Sequence, residues 1–140
     1  MTEPGRIQPR PTQVSEPYWQ GCLEGELRMQ FCAACETYQF YPRVACSSCG
    51  GSSLDWRRVS GNGRIASFTV VRRGVSSAYE APYIVALIDL EEGPRLMSHV
   101  VDVEPDDLRL RVGAMVFVKF QDWADEVAMP VFRLAQISQK

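Results

Sequence analysis

The chemically equipped residues are four cysteines in "FCAACETYQFYPRVACSSCG", residues 31–50. Cys32 and Cys35 form one C-x-x-C pair, and Cys46 and Cys49 form a second, ten residues further on. Thiolates so spaced suit a tetrahedral metal, because each pair brackets one tight turn whose backbone amides face the sulfurs. Gly50 and Gly51 give the second turn access to positive φ, whereas Glu36 stands in the equivalent place after the first pair. The gap is shorter than the roughly 15–20 residues common between such pairs. Two knuckles on adjacent hairpins can still face each other across it. Four cysteines close the coordination shell, whereas a catalytic zinc keeps one position open. Cys32, Cys35, Cys46 and Cys49 are therefore expected to hold a structural zinc. Iron in the same cage would make an electron carrier, since softness and geometry suit both metals.

Little else points to catalysis. Cys22 lies outside the quartet on a helical pattern, where a small apolar residue on a buried stripe explains it. His99 is the only histidine, and nothing in the spacing brings it to a cysteine. No nucleophile elbow, phosphate-cradling glycine loop or metal-hydrolase motif occurs. The isolated chain is expected to have no catalytic residues.

Composition narrows the classes further. The 140 residues are 46% hydrophobic and 23% charged, and the net charge is -2. Zinc held by four thiolates would make the chain more acidic still. Nonspecific nucleic-acid binders need a basic field, which this chain lacks overall. The longest uncharged apolar run, Tyr83 to Ile88, is far short of the roughly 20 residues that span a bilayer, and "MTEPGRIQPRP" has no apolar signal core. Paired C-x-x-C units with an odd fifth cysteine fit metal binding in a reducing compartment. The expectation is a cytoplasmic protein with neither membrane nor nucleic-acid partners.

The elements that must position the quartet follow from hydrophobic period. Residues 1–14, with Pro4, Pro9 and Pro11, read as a flexible or surface-draped arm. Residues 15–60 read as a helix and a zinc ribbon. Ser15 as N-cap, Glu16 and Pro17 in the first turn, and Gly21 and Gly25 beyond predict a short helix to about Leu23, with Tyr18, Trp19, Cys22 and Leu23 on one stripe. "ELRMQF" then changes to period two and runs into Cys32. Residues 61–137 read as a five-stranded barrel: strands near 64–73, 82–90, 95–101, 115–120 and 130–135, with a short helical turn in "EPDDLRLRVG". Five strands with a small helix between the third and fourth is the plan of an OB-fold. The fold class is mainly β.

The barrel offers few nucleic-acid features. The second strand, "YIVALIDL", is apolar on both faces, so core covers one side and the helix or a partner the other. The third strand, "RLMSHVV", carries no aromatic residue to stack bases. Two loops, "GVSSAYEAP" and "DWADEVAM", occupy positions from which OB-folds bind ligands. Tyr79 and Trp123 either project from them or fold back as lids. Arg72 and Arg73, with Arg43 in "FYPR", either form a phosphate-binding cluster or are ordinary solvated arginines.

The order of "YW", "CAAC", "FYPR", "CSSCG", "WRRVSGNGRIASFTVVRRG", "APYIVALIDLEEGPRLMSHV" and "VGAMVFVKF" resembles a family of small bacterial and archaeal proteins that join a rubredoxin-like zinc ribbon to an OB-fold. It was long catalogued as a domain of unknown function. The resemblance covers about residues 15–135. It implies an accessory subunit of a thiolase-like or lipid-transfer-type thiolase or aldolase, in a heterotetramer acting on acyl-CoA thioesters. The partner would carry the catalytic residues for forming or cleaving carbon–carbon bonds, and this chain would serve assembly, stability and CoA positioning. Arg43, Arg72 and Arg73 become candidate CoA contacts, and Trp19, Tyr79 and Trp123 candidate partner contacts. Glu36, in place of the glycine often found there, departs from the family pattern. The competing readings are a single-stranded nucleic-acid module and a rubredoxin-like electron carrier.

Overall fold

The computed structural model describes residues 6–124 and 126–135. Helix α1 spans Glu16–Leu23, with Glu16 and a proline in its first turn, where an acid meets the positive helix end and the missing N–H costs nothing. Ser15 does not cap it through its side chain. Its Oγ instead accepts the Thr12 N–H at 2.8 Å, and Thr12 Oγ1 accepts the Ser15 N–H at 3.1 Å. The buried stripe is narrower than the sequence suggests: Tyr18, Gly21 and Cys22 are covered, but Leu23 is 48% exposed. Gly21 is required by close approach, because a Cβ there would lie 2.8 Å from the Glu26 carbonyl.

Strands β1 (Arg28–Cys32), β2 (Thr37–Gln39) and β3 (Leu54–Arg58) form an antiparallel ribbon in the order β2-β1-β3. Strands β4 (Asn62–Val71), β5 (Tyr83–Leu90), β6 (Arg95–Val101), β7 (Met115–Ala124) and β8 (Val127–Leu134) close into a barrel in the order β4-β5-β6-β8-β7. Period-two alternation sends Ile84, Ala86, Ile88 and Leu90 inward. They join Ile65, Leu96, Val100, Val116 and Phe132 in the core. The same cluster takes in Tyr18, Cys22, Leu27, Met29 and Val59, so helix, ribbon and barrel share one hydrophobic interior.

Two sequence expectations are corrected. Residues 104–113 form successive turns, with the Asp107 N–H bonded to the Glu104 carbonyl and the Leu110 N–H to the Asp107 carbonyl, each at 3.0 Å. A helix would need an apolar face, yet Leu108 is 92% exposed and only Leu110 is buried. The Asp107 carboxylate also accepts the Arg109 amide at 2.9 Å, a local bond that competes with helix. Strands β7 and β8 are longer than expected and meet in a tight hairpin, with a register shift between Asp122 and Ala124. Most of the "DWADEVAM" segment is thereby strand, up to Ala124 and again from Val127, with Asp125 outside the described residues, and Trp123 sits at that irregularity. Among the described residues no helix is long and apolar enough to cross a membrane.

Candidate metal centre and binding cleft

The ribbon brings the four cysteines together. Cys32 ends β1, Cys35 follows in the turn to β2, and Cys46 and Cys49 lie in the connection to β3. Their Sγ atoms all lie within 4.8 Å of one another. Cys32 to Cys49 and Cys35 to Cys46 are each 3.8 Å apart. A zinc tetrahedron with bonds of about 2.3 Å has edges of about 3.8 Å, so the cage fits that ion. Backbone amides point at the sulfurs: Cys35 N–H to Cys32, Ser48 N–H to Cys46 and Gly51 N–H to Cys49, each at 3.4 Å. Both knuckle turns need positive φ, which Gly50 supplies at 74° and Glu36 at 56°. The glutamate therefore adopts the glycine-like conformation that the first turn demands.

The thiols are electrostatically unequal. Amide hydrogen bonds from Cys49 and Ser48 hold Cys46 down at about 6. Hydrogen bonding to Cys49, with desolvation and the other two cysteines adding to it, pushes Cys35 up to about 12. Amides that point at the sulfurs favour the thiolate form, a donor set suited to a cation. Cys22 is different: it lies in the core at 1% exposure, and burial pushes its thiol up to about 12.

Two residues with no part in the sequence reading hold the segment between the knuckles. Gln30 and Gln39 are buried side by side, with the Gln39 amide donating to Gln30 Oε1 at 2.8 Å. Gln30 grips Arg43 at both backbone atoms, accepting its N–H and donating to its carbonyl, each at 2.8 Å. Gln39 donates to the Ala45 carbonyl at 3.3 Å and accepts the Ser47 N–H at 2.8 Å. The available signal was a lone polar residue in each of two otherwise apolar strand ends, "MQF" and "YQF". Gln39→Leu is expected to lower stability by about 1–3 kcal/mol, because it strands the Ser47 amide and takes a donor from the Ala45 carbonyl, while Gln30 Oε1 keeps only the Arg43 N–H. Urea denaturation followed by circular dichroism checks this, and an unchanged midpoint would remove Gln39 from the scaffold of the cage.

Beyond the ribbon lies a cleft of about 650 Å³, bounded by α1, the segment after β2, the β4–β5 loop and the outer face of the barrel. Its lining includes Tyr18, Trp19, Phe40, Tyr41, Tyr79, Tyr83 and Trp123, seven of the chain's fourteen Trp, Tyr and Phe residues. Tyr83 and Val85 on the outward face of β5 form part of the floor. The doubly apolar strand is thus core on one side and cleft on the other. His99 lies beside Tyr83, ring centres 5.3 Å apart, and burial followed by the Arg6 charge holds it below its ordinary range.

The candidate contact residues divide. Trp19 is half-buried, edge-on to Tyr18 at 5.0 Å, and lines the cleft. Tyr79 and Trp123 approach to 6.3 Å at the cleft wall. Arg43 is exposed directly after the lining residue Pro42, and Arg72 and Arg73 are exposed just before the lining residue Val75. The three arginines therefore flank the cleft in sequence without lining it.

A closed four-cysteine ribbon fused to an OB barrel, with an aromatic cleft between them, defines a zinc-ribbon and OB-fold protein. Residues 19–55 match the description of the ChsH2 rubredoxin-like zinc ribbon domain and residues 56–121 that of the ChsH2 C-terminal OB-fold domain. A DUF35 domain-containing scaffold protein of Pyrococcus furiosus is 35% identical over 103 residues, 71% of this chain and 74% of that protein. This chain belongs to that ChsH2/DUF35 family. A probable enoyl-CoA hydratase alpha subunit of Thermomonospora curvata is 33% identical over 135 residues, 95% of this chain but only 42% of that longer protein. In a solved structure described as an Ltp2-ChsH2(DUF35) aldolase, one chain superposes with a TM-score of 0.82 at 31% identity, covering 91% of this chain and 98% of that one.

Proposed function

We propose that this chain is a non-catalytic accessory subunit that docks on a thiolase-like enzyme, in a heterotetramer that makes or breaks carbon–carbon bonds in acyl-CoA thioesters. The observation that carries this reading is the likeness, over nearly its whole length, to a chain of the Ltp2-ChsH2(DUF35) aldolase. The chemistry agrees: a closed cysteine cage has no open coordination position, and the cleft is walled by apolar and aromatic side chains. Zinc would lock the two knuckles and so fix Tyr41 and Pro42 at the cleft edge. The cleft would receive the apolar part of the thioester, while Arg43, Arg72 and Arg73 meet CoA phosphates from outside it. Exposed Tyr41, Val75 and Met97 at 57%, 78% and 61% form an apolar rim of the kind a partner covers. A cytoplasmic setting suits reduced thiolates. The nucleic-acid reading is weaker, because no Lys or Arg lines the cleft among the described residues.

Co-expression with a thiolase-fold enzyme encoded beside it, followed by size-exclusion chromatography and a retro-aldol assay, tests this. The expected result is one complex, activity only in the complex, and a severalfold loss of CoA affinity in Arg72→Ala/Arg73→Ala with an unchanged melting temperature. Turnover by the lone chain would sink the accessory reading. Unaltered CoA affinity would remove the two arginines from the site.

A further inference from the structure

Three tethers converge on a single dipeptide ahead of α1. The Ile7 N–H donates to the Tyr79 hydroxyl at 2.8 Å, and the Trp123 indole N–H donates to the Ile7 carbonyl at 2.9 Å. The Arg6 guanidinium lies 4.4 Å from the centre of the Trp123 ring. Tyr79 belongs to the β4–β5 loop and Trp123 to the β7–β8 hairpin, 72 and 116 residues from Ile7. The Ile7 side chain is 79% exposed, so burial of that side chain does not hold the segment here. Its role lies in its backbone, which satisfies one polar atom on each aromatic residue. Tyr79 and Trp123 line the cleft, whereas Arg6 and Ile7 do not.

We propose that Arg6–Ile7 is a built-in clamp that presses Tyr79 and Trp123 into place as one wall of the cleft, so that affinity for a neutral, planar apolar ligand depends on this strap. The inference rests on the reading of the cleft as a site for an apolar group. Without the clamp the two aromatics sit on separate elements, the β4–β5 loop and the end of β7, and a ligand would have to order their side chains on binding, which weakens association. Among the described residues the lining carries aromatic rings and no Asp, Glu, Lys or Arg, hence the preference for a flat, uncharged ligand.

Nile red, a neutral planar dye that brightens in apolar surroundings, serves as probe with the full-length chain. Tyr79→Phe keeps the ring and removes its hydroxyl, and Ile7→Pro removes the N–H that this hydroxyl accepts. Each is expected to weaken dye binding about three- to tenfold, the range of one hydrogen bond. Because they delete the same bond from its two ends, the double variant should be no weaker than either single one. Exchange of the Trp123 indole proton, followed by NMR, should quicken in Ile7→Pro. Saturable dye binding that is equal in all four proteins overturns the clamp while leaving the cleft intact, as does a fully additive double variant. No saturable binding to the parent chain overturns both the cleft reading and the clamp.

Discussion

Cys32→Ser is expected to lose its metal and to unfold or aggregate at temperatures where the parent chain is folded. Structural zinc contributes about 10–16 kcal/mol of apparent binding free energy in small cysteine-rich modules, whereas a whole domain is stable by only about 5–15 kcal/mol. Cys32 is well placed to transmit that loss. It is 1% exposed, it ends β1 opposite Thr37 of β2 and Leu54 of β3, and its sulfur accepts the first knuckle's amide. A serine hydroxyl is a poor zinc ligand and leaves three thiolates facing one another. The ribbon is also no appendage: Leu27, Met29 and Val59 belong to the cluster that fills the barrel, so fraying at the cage exposes part of the common core. Zinc content by elemental analysis and a thermal melt by circular dichroism give the readout. A metal-free Cys32→Ser chain that melts with the parent would make the cage dispensable to the fold.

How much of this was legible depends on whether a residue's meaning is local. The C-x-x-C pairs announce themselves because a metal knuckle is a four-residue object, and α1 and β6 are likewise framed by nearby signals: Glu16 and Pro17 for the first, the "EEGP" turn for the second. The turns at 104–113 differ from the helical expectation because the acids and leucines of "EPDDLRLRVG" fit a helix locally, whereas the deciding fact, that Leu108 has nothing to pack against, is tertiary. The extension of β7 to Ala124 is likewise set by its pairing with β8 across the register shift, which strand propensity does not encode. Gln30 and Gln39 stayed silent for a related reason. A glutamine in a strand reads as solvated until a segment 13 or 6 residues away in the chain lies over it. The cleft is the extreme case. Its aromatic walls come from the helix, the ribbon, the β4–β5 loop and the barrel, and the sequence marks Tyr79 and Trp123 only as residues of OB-fold loops and Tyr18 and Trp19 only as a helical stripe, with nothing to bring the two sets together.

Phe132→Ala should be the most damaging single change within the barrel, costing about 3–5 kcal/mol, the usual range for emptying a buried phenylalanine site. The position matters more than the size. Barrel closure requires β6 to meet β8, and that seam is parallel and short, with only Val100↔Phe132 and Val101↔Arg133 in register. Pro130, earlier in β8, has no N–H to extend the ladder, and the Ser98 hydroxyl reaches its carbonyl at 2.8 Å instead. With so little backbone pairing, closure rests on side chains, and Phe132 is the largest fully buried one, at 0% exposure. It lies opposite Val118 of β7 as well as Val100 of β6, so one ring packs against both neighbours of its strand. At a urea slope of about 2 kcal/mol/M, the midpoint should fall by roughly 2 M, whereas Leu108→Ala, on the exposed turn, should stay within about 0.5 kcal/mol of the parent. Because Tyr18, Leu27 and Met29 sit in the same cluster as Phe132, ribbon and barrel should unfold in one transition in both the parent and the variant. Two resolved transitions, or a Phe132→Ala midpoint indistinguishable from that of Leu108→Ala, would mean that the seam is held by something other than this ring.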